Sequence, residues 1–197
     1  MSHVFRKFAV VVEWVRRLPL LSERRLGMPG YARRLCAVVL LVALPGVASS
    51  AADLTSPSGE VILTIAGQIE HTNEGGVAAF DRAMLEQLGL NELRTWTPWT
   101  VGEPVFEGVL AKAIMDRVGA QGTSVRATAL NDYEVTIPVS DFSSYRVLVA
   151  MYQDGQELTK RERGPLWIVY PWTEHPELDD RPTRQKSIWQ LVHLHVY

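Results

Sequence analysis

The 197-residue chain is expected to fold as an α+β protein, mainly β, around a mixed sheet with two main helices. Three observations point there. Short runs rich in Val, Ile, Leu and Thr recur from residue 60 to the C-terminus, bounded by Gly, Pro, Asn or Asp. Only residues 77–88 and 105–118 place apolar side chains at helical spacing. Residues 153–156 read Gln-Asp-Gly-Gln, a hairpin signal between strand-like runs. The sequence contains no internal repeat and no low-complexity tract.

Residues 1–52 read as a leader and residues 53–197 as one domain. Arg33-Arg34 precede an uncharged apolar run at 35–44, Pro45-Gly46 break it, and Ala48, Ser49, Ser50 and Ala51 follow. A positive end, a short apolar core and a small-residue cleavage site make a secretory signal peptide, cleaved near Ser50, Ala51 or Ala52. The run is too short for a comfortable membrane span, and an uncleaved N-terminal anchor is the alternative. Met28 is a second candidate start, because residues 1–27 make the leader unusually long. The expected location is periplasmic or secreted.

Charge divides at the same place. Residues 1–50 carry eight Lys and Arg against two Asp and Glu, whereas residues 51–197 carry twelve against twenty. An acidic domain without a basic stripe is a poor nucleic-acid binder, so no such partner is expected. Cys36, the only cysteine, lies in the leader. The domain therefore has no disulfide, thiolate metal ligand or cysteine nucleophile.

Within the domain, residues 60–66 (EVILTIA) predict a strand ending at Gly67, and residues 73–76 a turn. Residues 77–88 predict a helix through Val77, Phe80, Met84, Leu85 and Leu88, stopped by Gly89. A second helix is expected over 105–118, closed by Gly119. Residues 123–130 and 134–137 predict paired strands around the turn Asn131-Asp132-Tyr133, and Pro138 ends the second. Asp141 with Ser143-Ser144 predicts another turn. Strands follow at 146–152 and 166–170, separated by the hairpin and a charged bend, KRER, at 160–163. Residues 172–184 read as irregular. Residues 188–196 predict a last strand with Ile188, Val192, Leu194 and Val196 on one side and Trp189, Leu191, His193 and His195 on the other.

Chemistry concentrates in residues 93–108, LRTWTPWTVGEPVFEG. Pro98 and Pro104 exclude a regular helix. A strand at 93–97 is expected to break at Pro98 into an aromatic, hydroxyl-rich loop, which serves either as a ligand wall or as packing. No phosphate-binding glycine loop, G-x-S-x-G elbow or H-E-x-x-H motif is present. His193 and His195 share a strand face but lack a third ligand in register, so no metal is expected there. Asp179 and Asp180 are adjacent and cannot work as a facing acid pair. Lys160, Arg161 and Arg163 before Gly164 form either an anion site or a solvated bend.

The order of segments resembles the oxidoreductase molybdopterin-binding domain of the sulfite-oxidase type. The pieces that carry the resemblance are LTIAGQI, FEGVLAKAIMDRVGA, VRATALNDYEVTIPVSD, VLVAMYQDGQELTKRERGPLWIVYP and SIWQLVHLHV, from residue 60 to 196. The resemblance implies a mixed α+β fold, a pterin-bound molybdenum, and redox chemistry on small oxyanions or sulfoxides. It also implies a pocket lined by Thr95, Thr97, Trp99 and Thr100 beside Asn131, Asp132 and Tyr133, with Arg161 and Arg163 facing an anionic group. The family's molybdenum is held by a cysteine thiolate just before the FEG segment, and residues 95–105 hold none. A threonine hydroxyl is too hard and too weakly acidic to replace that thiolate.

The expected function is therefore a ligand-binding or sensory module that has lost redox catalysis. It takes a small anionic ligand or pterin, molybdopterin without its metal bond being the candidate cofactor, and works with an exported or membrane-anchored signalling or redox protein. An active molybdopterin-dependent oxidoreductase and a ligand-free structural scaffold are the alternatives.

Overall fold

Residues 54–197 are described in the computed structural model; the leader, Met28 and Cys36 lie outside the described residues. Two five-stranded sheets make up the domain. The first contains β1 (Val61–Gly67), β2 (Ala78–Asp81), β5 (Ser124–Ala129), β6 (Glu134–Pro138) and β10 (Leu191–Val196), in the order β2-β1-β10-β5-β6. Its one parallel pairing joins β1 to β10, with Thr64 opposite His193 and Ile65 opposite Leu194. The second sheet contains β3 (Leu90–Arg94), β4 (Val105–Leu110), β7 (Leu148–Gln153), β8 (Gln156–Glu157) and β9 (Trp167–Val169). There β4 lies between β3 and β7, and both β8 and β9 pair with β7. Four short helices complete the described residues: α1 (Arg82–Glu86), α2 (Ala111–Val118), α3 (Val139–Ser144) and α4 (Arg181–Lys186). The mixed, mainly β α+β architecture is the one the sequence predicts. No helix among the described residues is long and apolar enough to cross a membrane.

Both predicted helices begin as strands. Residues 78–81 are extended and buried on both faces as β2. Asp81 then caps α1 by accepting from the Met84 N–H at 2.8 Å, so the helix starts one residue after the carboxylate. Likewise 105–110 is the central strand β4, and only Ala111 onward is helical, ending at Gly119 in the left-handed conformation. Short apolar runs satisfy either period, and here strand pairing on both sides of β4 decides. Gly108 of that run is dictated by sterics: a Cβ there would lie 2.1 Å from the Val149 carbonyl oxygen on β7.

Three smaller expectations change as well. The strand predicted at 93–97 stops at Arg94, the turn predicted at 141–144 is helix α3, and the irregular 172–184 contains a 3₁₀ turn (Pro176–Leu178) and the start of α4. In β10 a bulge between Leu191 and His193 inserts one residue. It resets the alternation, so Leu191 joins Leu194 and Val196 on the buried side, while His193 and His195 stay exposed. The Asp154-Gly155 hairpin forms as predicted, with φ of 50° and 72° at its two central residues.

The core joins the sheets. Trp167, Tyr170 and Trp172 are fully buried, with Phe106 packed edge-on to Trp167 at 5.2 Å. Residues 188–191 run between the sheets. The Ile168 N–H donates to the Ile188 carbonyl at 2.9 Å and the Leu191 N–H to the Leu166 carbonyl at 3.0 Å.

Candidate binding cleft

A cleft of about 390 Å³ opens beside that connecting segment. Its aromatic wall is Trp99 and Trp189, whose rings meet edge to face at 5.1 Å. Asn131 and Tyr133 form one side, from the turn between β5 and β6. Opposite stand Arg181, Arg184 and Gln185 of α4, whose i, i+3, i+4 spacing puts them on one helix face. Ser187 and Ile188, both buried, close the base.

The threonine-rich loop is built to hold Trp99 in place. The Thr95 hydroxyl donates to the Trp96 carbonyl at 3.1 Å and accepts from the Thr173 N–H at 3.0 Å. The Thr97 hydroxyl accepts from the Trp99 N–H at 3.2 Å and pairs with the Thr100 hydroxyl at 3.0 Å, which in turn accepts from the Thr97 N–H. Thr95 and Thr97 are buried, with their oxygens committed to the Trp96, Trp99 and Thr173 backbone and to the Thr100 hydroxyl. Such side chain–backbone bonds fix an irregular segment where no ladder is available.

Arg163 fastens this wall from behind. Its guanidinium donates to the Trp99 carbonyl at 2.9 Å and lies 5.1 Å and 6.0 Å from the ring centroids of Trp167 and Trp189. Trp99 also meets Trp167 and Trp172 edge-on at 6.1 Å and 6.3 Å.

On α4, the Asp180 carboxylate accepts from the Thr183 N–H at 2.7 Å, and that bond holds it below the usual carboxylate range. Arg184 donates from Nε at 2.8 Å to Asp179. Arg181 has no hydrogen-bond or ion-pair partner among the described residues. Across the cleft, the Tyr133 hydroxyl donates to the Gln185 carbonyl at 3.3 Å. The inner side of α4 is anchored by Lys186, which donates to Asp141 at 2.6 Å. The Tyr170 hydroxyl donates to the same carboxylate oxygen at 2.8 Å, and burial and then that carboxylate push it far above the ordinary phenol range.

Of the residues the sequence singled out, Trp99, Asn131 and Tyr133 line the cleft together. Thr95, Thr97 and Thr100 lie behind it, Arg163 is turned onto the tryptophans, and Asp132 and Arg161 are exposed outside the lining. Sequence reasoning missed Arg181, Arg184, Gln185 and Trp189. The signal was present: Asp180 followed by Arg181-Pro182 is a helix start, with an N-cap carboxylate and Pro in the first turn.

Among the described residues no three or more His, Cys, Asp or Glu side chains group as metal ligands. The residues present do not fit a thiolate-bound molybdenum: residues 54–197 contain no cysteine, and the buried threonine oxygens of the expected ligand segment are already bonded. The cleft instead sets the rings of Trp99 and Trp189 and the Tyr133 side chain beside Arg181, which has no hydrogen-bond or ion-pair partner among the described residues.

Residues 78–175 match the family model described as the oxidoreductase molybdopterin binding domain. No curated protein matches the chain. Among solved structures, the sulfane dehydrogenase SoxCD from Paracoccus pantotrophus is similar at 17% identity with a TM-score of 0.48, over 68% of this chain and 37% of that one. The chain thus spans just over a third of the SoxCD chain it matches, 37%.

Proposed function

With residues 78–175 matching its model, this chain belongs to the oxidoreductase molybdopterin binding domain family, and we propose that it is a ligand-binding module of that family without redox turnover. The ligand is a flat heteroaromatic ring with an anionic substituent, a pterin or a molecule of that kind. The observation that carries the proposal is the pairing of an aromatic cleft with a ligand loop that has no soft donor. Trp99, Trp189 and Tyr133 offer ring surface, Asn131 and Gln185 offer amide groups to a heterocycle's edge, and Arg181 offers an uncommitted cation. Molybdenum–thiolate chemistry needs a sulfur that residues 95–105 do not provide.

The module acts outside the cytoplasm, on the strength of the leader at 28–52, and passes its state to an exported or membrane-anchored signalling or redox protein.

The test is titration of the purified full chain with carboxypterin, followed by tryptophan emission. Saturable quenching is expected. Tyr133→Ala and Arg181→Ala are expected to weaken it roughly fivefold or more while leaving Tm within about 2 °C, because both side chains are exposed and support little packing. Absence of saturable quenching, or variants that lose stability instead of affinity, would refute the proposal.

A further inference from the structure

The helix that completes the cleft lies beyond the family-matched residues 78–175, and its attachment to the core is specific. Its cleft face, Arg181, Arg184 and Gln185, touches the described residues mainly through Arg184–Asp179 and Tyr133–Gln185. Its inner face carries Thr183, which is buried, and Lys186. Lys186 and Asp141 are only 17% and 14% exposed. The Lys186 ammonium meets Asp141 Oδ2 at 2.6 Å and lies 5.5 Å from the Tyr170 ring centroid, while Tyr170 supplies the second donor to that oxygen. One carboxylate on α3 thus receives a lysine from α4 and a phenol that follows β9.

We propose that the Asp141–Lys186–Tyr170 cluster positions α4, and that Asp141 and Lys186 are positioning residues which set the orientation of Arg181 and hence the preference of the cleft for an anionic ligand. The inference rests on the cleft being a binding site, but its structural half stands apart from any ligand. α4 has only six residues, so isolated helical propensity cannot hold it and tertiary anchors must. A paired, mostly buried charge is a strong anchor of defined geometry, because either partner left alone is poorly solvated. Neither Asp141 nor Lys186 lines the cleft.

The proposal has a sign that distinguishes it from a simple field effect. Asp141→Asn removes a negative charge, so electrostatics alone makes the cleft more attractive to anions. Loss of positioning makes it less attractive. The experiment compares wild type, Asp141→Asn, Lys186→Met and the conservative Lys186→Arg as full chains. Hydrogen exchange of residues 181–188 is read without ligand, and affinities for carboxypterin and for neutral pterin are read by tryptophan emission. Expected are exchange on the order of tenfold faster in Asp141→Asn and Lys186→Met, weaker binding of carboxypterin with neutral pterin nearly unaffected, and substantial rescue in Lys186→Arg. Unchanged exchange at 181–188, or tighter carboxypterin binding by Asp141→Asn, overturns the inference. Should wild type bind neither pterin while exchange responds as expected, the anchor stands and the binding function falls. If Asp141→Asn does not fold, the anchor is read from exchange alone in Lys186→Met and its Lys186→Arg rescue, since a field effect does not change exchange, and unchanged exchange at 181–188 in Lys186→Met overturns the inference.

Discussion

Replacing Arg163 by methionine separates two roles for that side chain. The sequence places it in a charged bend that looks suited to an anion. The structure turns it inward, onto the Trp99 carbonyl at 2.9 Å and over the rings of Trp167 and Trp189. Methionine keeps most of the apolar stem but loses the charged donor. A hydrogen bond from a charged group contributes about 1.5–3 kcal/mol, and cation–π contact at a partly covered site about 0.5–1 kcal/mol. The left-handed backbone at Arg163, φ 75°, is strained equally in both proteins and cancels. The expected loss is about 2–4 kcal/mol, a fall in Tm of about 4–16 °C for a domain of this size. Urea and thermal melts followed by tryptophan emission suit the assay, since the side chain sits among three tryptophans. A variant with unchanged Tm and lost affinity for carboxypterin would show Arg163 to be the anion contact and refute the reasoning.

Gly108→Ala is expected to cost about 3 kcal/mol or more, because the new Cβ meets the Val149 carbonyl at 2.1 Å and β4 must part from β7; a thermal melt near that of wild type would contradict the close approach. Asp81→Asn is expected to cost about 2–3 kcal/mol at neutral pH, because an amide keeps one acceptor oxygen of two: with Oδ1 held on the Met84 N–H as the helix cap, the N–H₂ group faces the Ser58 and Gly59 N–H donors that Oδ2 satisfies in the carboxylate. The Asp81 carboxyl is held below its ordinary value chiefly by the Met84 N–H and next by that of Gly59. Its contribution is therefore full above the unfolded carboxylate pKa of about 3.9 and is lost as pH falls toward the depressed folded value. Denaturant melts from pH 7 down to about pH 3 should show the gap between wild type and Asp81→Asn closing in acid; a constant gap would remove the charge from the explanation.

The architecture was legible because its signals are local. The Asp-Gly hairpin, the turn at 131–133, the glycine stop at Gly119 and the β-branched runs each specify one element without help from the rest of the chain. What sequence misread are the places where tertiary pairing overrides a local pattern. Residues 78–81 and 105–110 have helical spacing, yet neighbouring strands take them into sheets, and the β10 bulge reverses a parity that nothing in 188–196 announces. The cleft was half legible. Trp99, Asn131 and Tyr133 stand in conspicuous turns. The opposite wall belongs to a six-residue helix whose cap and proline were visible in Asp180 to Pro182 but whose placement depends on a mostly buried ion pair to a partner 45 residues away in sequence. Hydroxyl-rich Thr95 and Thr97 looked like ligand groups because sequence does not reveal that their oxygens are already spent on backbone.

The most direct measurement is elemental. The full chain, purified from a host that makes molybdenum cofactor, should contain molybdenum far below one atom per chain while still binding carboxypterin. One tightly held molybdenum per chain, together with electron transfer to or from a small oxyanion, would contradict a binding module without redox turnover.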